Sequence, residues 1–268
     1  MLFKDHLVLI RGGGDLATGV VYRLHQTGFP VIVTELARPL VVRRKVAVAT
    51  AVLEGHIQIE NLHAQSAHTP EEALKLAYTN TIPVLISPQL PNYPITQLPI
   101  LIDARIAKRN IDTRIDQAPL VIGLGPGFTA GMDCHAVIET MRGHTLGRVI
   151  WDGPALPDTG TPGIVAGKGA ERVLRAPAAG IVNWQLEIGD YVQEGDLIGA
   201  VNGEPVTAPF AGVLRGQIAP GSAVPAGYKI GDLDARGSRE ACFTISDKAL
   251  SIGGGVLEAI LTYLNKNS

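Results

Sequence analysis

Gly12-Gly13-Gly14-Asp15-Leu16-Ala17 follows an apolar run and opens a helical pattern, with Ala17 closing a G-x-G-x-x-[G/A] spacing. Glu35 falls 21 residues after Gly14, at the end of the next apolar run. Glycines at such a turn let backbone approach a pyrophosphate, the helix start presents N–H groups, and an acidic side chain accepts from a ribose hydroxyl. Asp15 beside the phosphate position departs from that pattern, so a tight turn without ligand stays open. Glu35 argues against a 2′-phosphate, while Arg38, Arg43 and Arg44 keep NADP-like ligands open.

Two more stretches could hold anions. Gly123-Leu124-Gly125-Pro126-Gly127-Phe128-Thr129-Ala130-Gly131 places Gly123, Gly125 and Gly127 directly after an apolar strand, where backbone N–H groups can form a nest. Pro126 removes one donor, and a purely structural loop fits equally well. Asp103-Ala104-Arg105-Ile106-Ala107-Lys108-Arg109-Asn110 brings the cations Arg105, Lys108 and Arg109 just past another buried strand. Cations there suit phosphate or carboxylate groups; a solvated charge run is the plain alternative. Cys134 is the one catalytic candidate, as a sulfur or selenium relay, against its reading as a small buried residue. Neighbours in a strand point to opposite faces, so Cys134 and His135 are not a thiol–imidazole pair. No metal site is expected, because no histidine pair or histidine–carboxylate cluster stands out. No G-x-S-x-G or Walker A pattern is present either.

These residues need elements to carry them. Residues 7–10 read as a strand, Asp15 to the Gly28 stop as a helix, and 31–34 as a second strand, a β-α-β unit by period and caps. A second helix is expected over 40–53, a hairpin strand over 56–60 turning at Asn61, and a capped helix from Thr69-Pro70-Glu71-Glu72 to about Tyr78. Uniformly apolar runs at 83–86, 99–102 and 119–122 suit a parallel sheet covered on both faces, with 136–138 and 149–151 extending it. Residues 152–171 shift to Gly, Pro, Thr and Ala, the composition of a linker.

Ala176-Pro177-Ala178-Ala179-Gly180 recurs 32 residues later as Ala208-Pro209-Phe210-Ala211-Gly212, and the register holds through 176–201 against 208–233 with ten identities. Two such halves, each too small for a core, should interlock into one small barrel. A short strand at 242–245 and a helix from Ser246 or Asp247 end the chain. Gly253-Gly254-Gly255 interrupts that helix, at roughly 1 kcal/mol per glycine relative to alanine, and so requires a reason. The domains expected are 1–151, a linker at 152–171, the repeat at 172–236, and 237–268 packing back on the first.

Of 268 residues, 46% are hydrophobic and 18% charged, with a net charge of −2. That balance suits a well-buried core and gives no global electrostatic case for nucleic acid or membrane surface. Two cysteines make no disulfide framework, and the start of the chain does not read as a secretory signal, so a cytoplasmic protein is expected.

The repeat resembles a biotinyl/lipoyl-type barrel-sandwich hybrid, through Ala176-Pro177-x-x-Gly180 and Gly189-Asp190-x-Val192-x-x-Gly195-Asp196-x-Ile198. Carriers of that type show a lysine at the hairpin between halves, whereas this one is Asn202-Gly203-Glu204-Pro205, so no lipoyl or biotin is expected. Nearly the whole chain resembles YqeB-type accessory proteins of the selenium-dependent molybdenum hydroxylase system. The residues that carry it are 8–19 around Arg11-Gly12-Gly13-Gly14, 103–110, 121–128, Arg142-Gly143-His144-x-Leu146-Gly147-Arg148, and Ile252-Gly253-Gly254-Gly255. The resemblance implies a maturation role akin to that of XdhC-type chaperones, with a molybdenum hydroxylase apoenzyme or other maturation factors as partners.

Together these readings give an α/β fold, a Rossmann-like mostly parallel sheet with a lipoyl-like barrel. The expected function is an accessory protein binding a small anionic cofactor, NAD(P) or molybdopterin dinucleotide, at the first glycine turn. An NAD(P)-dependent oxidoreductase and a scaffold without small ligand are the alternatives, and a homo-oligomer is open.

Overall fold

A computed structural model describes residues 1–93, 99–161 and 163–267. Pro162 of the expected linker and Ser268 of the expected last segment lie outside the described residues. The chain forms two units: Met1–Pro39, Ala47–Asp158 and Ile245–Ser268 make the first, and Leu40–Val46 with Thr159–Thr244 the second.

The first unit opens as its periodicity dictates. β1 (Val8–Arg11) leads through the glycine turn into α1 (Asp15–Gln26) and then β2 (Val31–Glu35). Next come α2 (Thr50–Glu54), β3 (His56–Ile59), β4 (Leu62–Ala67), α3 (Pro70–Ala77), β5 (Ile82–Ile86), β6 (Ile100–Asp103) and β7 (Leu120–Leu124). β8 (Thr129–Ala130), β9 (Ala136–Ile138), β10 (Val149–Ile150) and β11 (Gly153–Pro154) complete its strands. Thr69 caps α3 by accepting the Glu72 N–H, while Glu72 accepts the N–H of His68, the residue before the cap.

The strands form a nine-stranded sheet in the order β10-β9-β7-β6-β1-β2-β5-β4-β3. Seven run parallel, while β3 and β10 pair antiparallel at the two edges. This corrects the expected Rossmann-like layout. A doubly wound sheet covers its crossovers with helices, but here β6 reaches β7 through irregular chain and one short 3-10 turn at Ile115–Gln117, and β7 reaches β9 through the loop carrying β8. The expected helix at 40–53 is also corrected: only Thr50–Glu54 is α-helical. Residues 40–46 belong to the second unit, where Arg43 donates to the Ala241 carbonyl (2.9 Å) and Arg44 to the Gln217 carbonyl (2.8 Å). Long-range partners outweigh local helix propensity there.

The second unit contains β12 (Val173–Arg175), β13 (Gly180–Trp184), β14 (Tyr191–Val192), β15 (Leu197–Val201), β16 (Glu204–Thr207), β17 (Gly212–Gln217), β18 (Ala223–Val224) and β19 (Lys229–Asp234). They build two separate four-stranded antiparallel sheets, β12-β19-β17-β14 and β16-β15-β13-β18. The expected lipoyl-like small barrel is therefore corrected to two four-stranded antiparallel sheets. Each sheet takes two strands from each half of the repeat, and exchanging the halves converts one strand order into the other. Its core repeats accordingly, with Val192 and Val224, or Ile198 and Ile230, buried in equivalent places. Asn202 and Gly203 join β15 to β16 with φ of 52° and 87°, the left-handed pair that a two-residue hairpin requires. The strand expected at 242–245 is corrected to a 3-10 turn at Glu240–Cys242.

α4 (Asp247–Lys266), capped by Ser246 accepting the Ala249 N–H, returns the chain to the first unit and packs along α1. The approach is closer than side chains allow. A Cβ on Gly19 would collide with the Ala249 backbone, one on Gly253 with the Gly19 carbonyl, and one on Gly255 with the Gly147 carbonyl. Two of the three consecutive glycines in α4 are thus explained by packing, whereas a Cβ on Gly254 would meet nothing within 4 Å.

Candidate functional site

The parallel strands place their carboxyl ends side by side. Thr34, Arg11, Asp103, Gly123 and Val137 sit in matched register across β2, β1, β6, β7 and β9. In an open α/β sheet this edge is where ligands bind. It also brings the three sequence constellations together. Gly12 (φ 90°) lies so close to the backbone of Ala104 and Arg105 that a Cβ would stand 3.0 Å from the Arg105 Cα. Gly127 (φ 106°) packs in the same way on Arg109, whose backbone nitrogen a Cβ would meet at 2.5 Å.

The first glycine turn is largely occupied by the protein itself. The Gly12 N–H donates to the Thr34 carbonyl (2.8 Å), and the Gly13 carbonyl accepts from Ala49 (2.9 Å). Glu35 Oε1 accepts the Gly13 N–H at 2.9 Å, and its Oε2 accepts the Leu36 N–H at 2.7 Å. Burial pushes this carboxyl above its usual range, and the two amides pull it back down. Glu35 is close to the turn, then, but as a cap on an amide rather than as an acceptor held open. Gly14 takes the N-cap position of α1 with no side-chain cap, and Asp15 and Ala17 lie in the first turn.

Past β6, charges converge. Arg11, expected only as part of a motif, is a buried guanidinium with its side chain 3% exposed. It grips Asp112 with both ends, Nη1 to Oδ1 at 2.8 Å and Nη2 to Oδ2 at 2.9 Å. Arg105 adds a contact to the same carboxylate at 2.7 Å and pairs with buried Asp103 through Nε at 3.0 Å. Thr113 Oγ1 donates to Asp103 (2.6 Å) and accepts from both arginines (3.2 Å each). The Arg11 fork holds the Asp112 carboxyl down at about 2; burial opposes it and Arg105 reinforces it. Lys108 pairs with Asp158 (2.8 Å), and the Arg109 side chain is exposed.

Cys134 is fully buried, and burial is the main cause that pushes its thiol up to about 12. A thiol so far from ionisation supplies no thiolate at neutral pH. His135 Nδ1 accepts the Val121 N–H (3.0 Å), a structural bond.

Reasoning from sequence missed Asp112, Thr113 and Lys248. Lys248 stands in the first turn of α4; burial draws its ammonium below the ordinary range, Arg142 adds to the shift, and Asp15, Glu139 and Asp247 oppose it. Two clefts also open in this unit, neither lined by the glycine turn. One of about 400 Å³ lies beside Glu139, Arg148 and Leu156; the other, of about 540 Å³, brings His56, His63 and His68 together with Glu72. Even so, among the described residues no three His, Cys, Asp or Glu side chains converge well enough to hold a metal ion. No helix among them is long and apolar enough to cross a membrane.

Fold and site together define a two-unit α/β protein with a cluster of paired charges at the carboxyl edge of its main sheet. Among proteins of known sequence, YqeB of Escherichia coli (strain K12) is 47% identical over 260 residues, covering 97% of this chain and 48% of YqeB. This supports a YqeB-type assignment, and the chain spans about half the length of that relative. No family model matches.

Solved structures that align include an aspartoacylase family protein from Mesorhizobium loti (12% identity, TM-score 0.29) and a succinylglutamate desuccinylase/aspartoacylase from Rhodobacter sphaeroides (14%, TM-score 0.28). Each covers 86% of this chain and 85% of the other. Likeness this slight carries no argument about activity.

Proposed function

We propose that this chain is an accessory protein that binds an anionic cofactor at the carboxyl edge of β1 and β6. The observation that supports it is the convergence of Arg11 and Arg105 on a half-exposed carboxylate, directly against the Gly12 turn. Two guanidiniums with hydroxyl and carboxylate partners already in place form a pre-organised set of donors for phosphate or carboxylate oxygens. Because Glu35 caps the Gly13 amide, the grip passes from the glycine nest to the arginines and the first turn of α1. A dinucleotide, NAD(P) or the dinucleotide form of molybdopterin, is the ligand class this reading favours. The part played toward selenium-dependent molybdenum hydroxylases rests on the sequence resemblance alone.

Mass spectrometry of small molecules released from native protein tests the proposal, followed by equilibrium binding of NAD, NADP, adenine and cytidine dinucleotides and isolated cofactor. A phosphorylated molecule released in near-stoichiometric amount is the expected result. Nothing anionic released, with silence across the panel, leaves a scaffold. Hydride transfer by purified protein would instead favour the oxidoreductase reading, for which Lys248, its ammonium lowered by burial, is a candidate proton-transfer group.

A further inference from the structure

We propose that Arg11 and Arg105 are the receptor for one phosphate or carboxylate group of the ligand, and that Asp112 is its internal stand-in, displaced when the ligand's own oxygens arrive. This rests on the ligand-handling reading above and names the atoms that grip.

The asymmetry of the pair points that way. The Arg11 side chain is 3% exposed, yet the Asp112 side chain that neutralises it is 51% exposed. A buried guanidinium needs an anion beside it, and this one takes it from the solvent side, where a dissolved anion can reach the same place. The geometry is that of ligand recognition: both carboxylate oxygens in one fork, with a second guanidinium on Oδ1.

Displacement leaves the receptor assembled. Arg105 stays anchored to buried Asp103, and Thr113 bonds Asp103 and both arginines. The backbone around Asp112 is pinned, since Asn110 binds Thr113 through its N–H and carbonyl and Gln117 donates to the Asp112 carbonyl. The exchange therefore needs only a side-chain rotation. Once Asp112 turns away, two cations face one carboxylate, and a bound anion restores the balance.

The test uses the full chain with inorganic phosphate as probe, comparing wild type, D112N and D112N/R105M. D112N is expected to melt below wild type at low ionic strength. Phosphate should raise its Tm more than an equal ionic strength of sodium chloride does. Its Kd for phosphate should fall at least tenfold below that of wild type, and R105M should abolish the gain. An equal phosphate response in wild type and D112N, or a gain that survives R105M, overturns the proposal. If D112N does not fold in chloride, recovery on refolding in phosphate supports the receptor, and failure to recover overturns it. Phosphate binding by D112N with no anionic molecule released from native protein keeps the receptor and removes the cofactor reading. A released ligand whose affinity D112N leaves unchanged does the reverse.

Discussion

Glu35 and Asp112 do similar work a short distance apart: each is a carboxylate supplied by the protein to groups that would suit a ligand's anion. They differ in environment, and so in titration. Burial raises Glu35, whereas the Arg11 fork lowers Asp112 to about 2. Since the folded value lies below the roughly 3.9 of an unfolded aspartate, the stabilisation from Asp112 is fully present above about pH 4 and is lost as pH falls toward 2. Thermal melts between pH 2 and 5 should show wild type and D112N converging at the acid end; a constant gap would contradict the ion pair. The thiols make a second case. Cys134 and Cys242 are buried and burial raises both, Cys134 to about 12. Native protein should leave both unlabelled by a thiol reagent at pH 8, with two equivalents reacting in denaturant.

Between elements, the packing of α4 divides three adjacent glycines by role, Gly253 against α1, Gly255 against Gly147 and Gly254 against nothing. Gly254→Ala should stabilise the protein by about 0.5–1 kcal/mol, because alanine is the better helix former and its methyl meets no neighbour. Gly253→Ala and Gly255→Ala should each cost about 1–3 kcal/mol by forcing backbone apart. Urea denaturation of the three variants checks the opposite signs. The run was legible in the sequence as an anomaly but not as a packing surface, since α1 lies more than two hundred residues earlier. The same limit separates what could be read from what could not. β1–α1–β2, the Thr69 cap, the Asn202-Gly203 turn and the 32-residue repeat are each decided within a few dozen residues. The turns at 44–46 and 240–242 depend on partners such as those of Arg43, 198 and 201 residues away, and the partners of Asp112 include Arg11, 101 residues back. Periodicity carries no information about pairings of that kind.

For the whole molecule, the duplicated unit invites a symmetric test. Ile198 and Ile230 are repeat equivalents with no exposure, so either one changed to alanine should cost a similar 2–5 kcal/mol. Widely different losses would mean that the two sheets are not energetic equals. The first unit is built differently, from stretches at both ends of the chain. Ending the protein after Thr244 would strip α4 from α1, and increased hydrophobic-dye binding with faster amide exchange in α1 is the expected outcome. That threading orders events on the ribosome. Residues 40–46 and 159–244 are all synthesised before α4, so the duplicated sheets leave the ribosome ahead of the last helix of the larger unit. A nascent chain would leave the α4-facing side of α1 uncovered until α4 itself has been made and has docked.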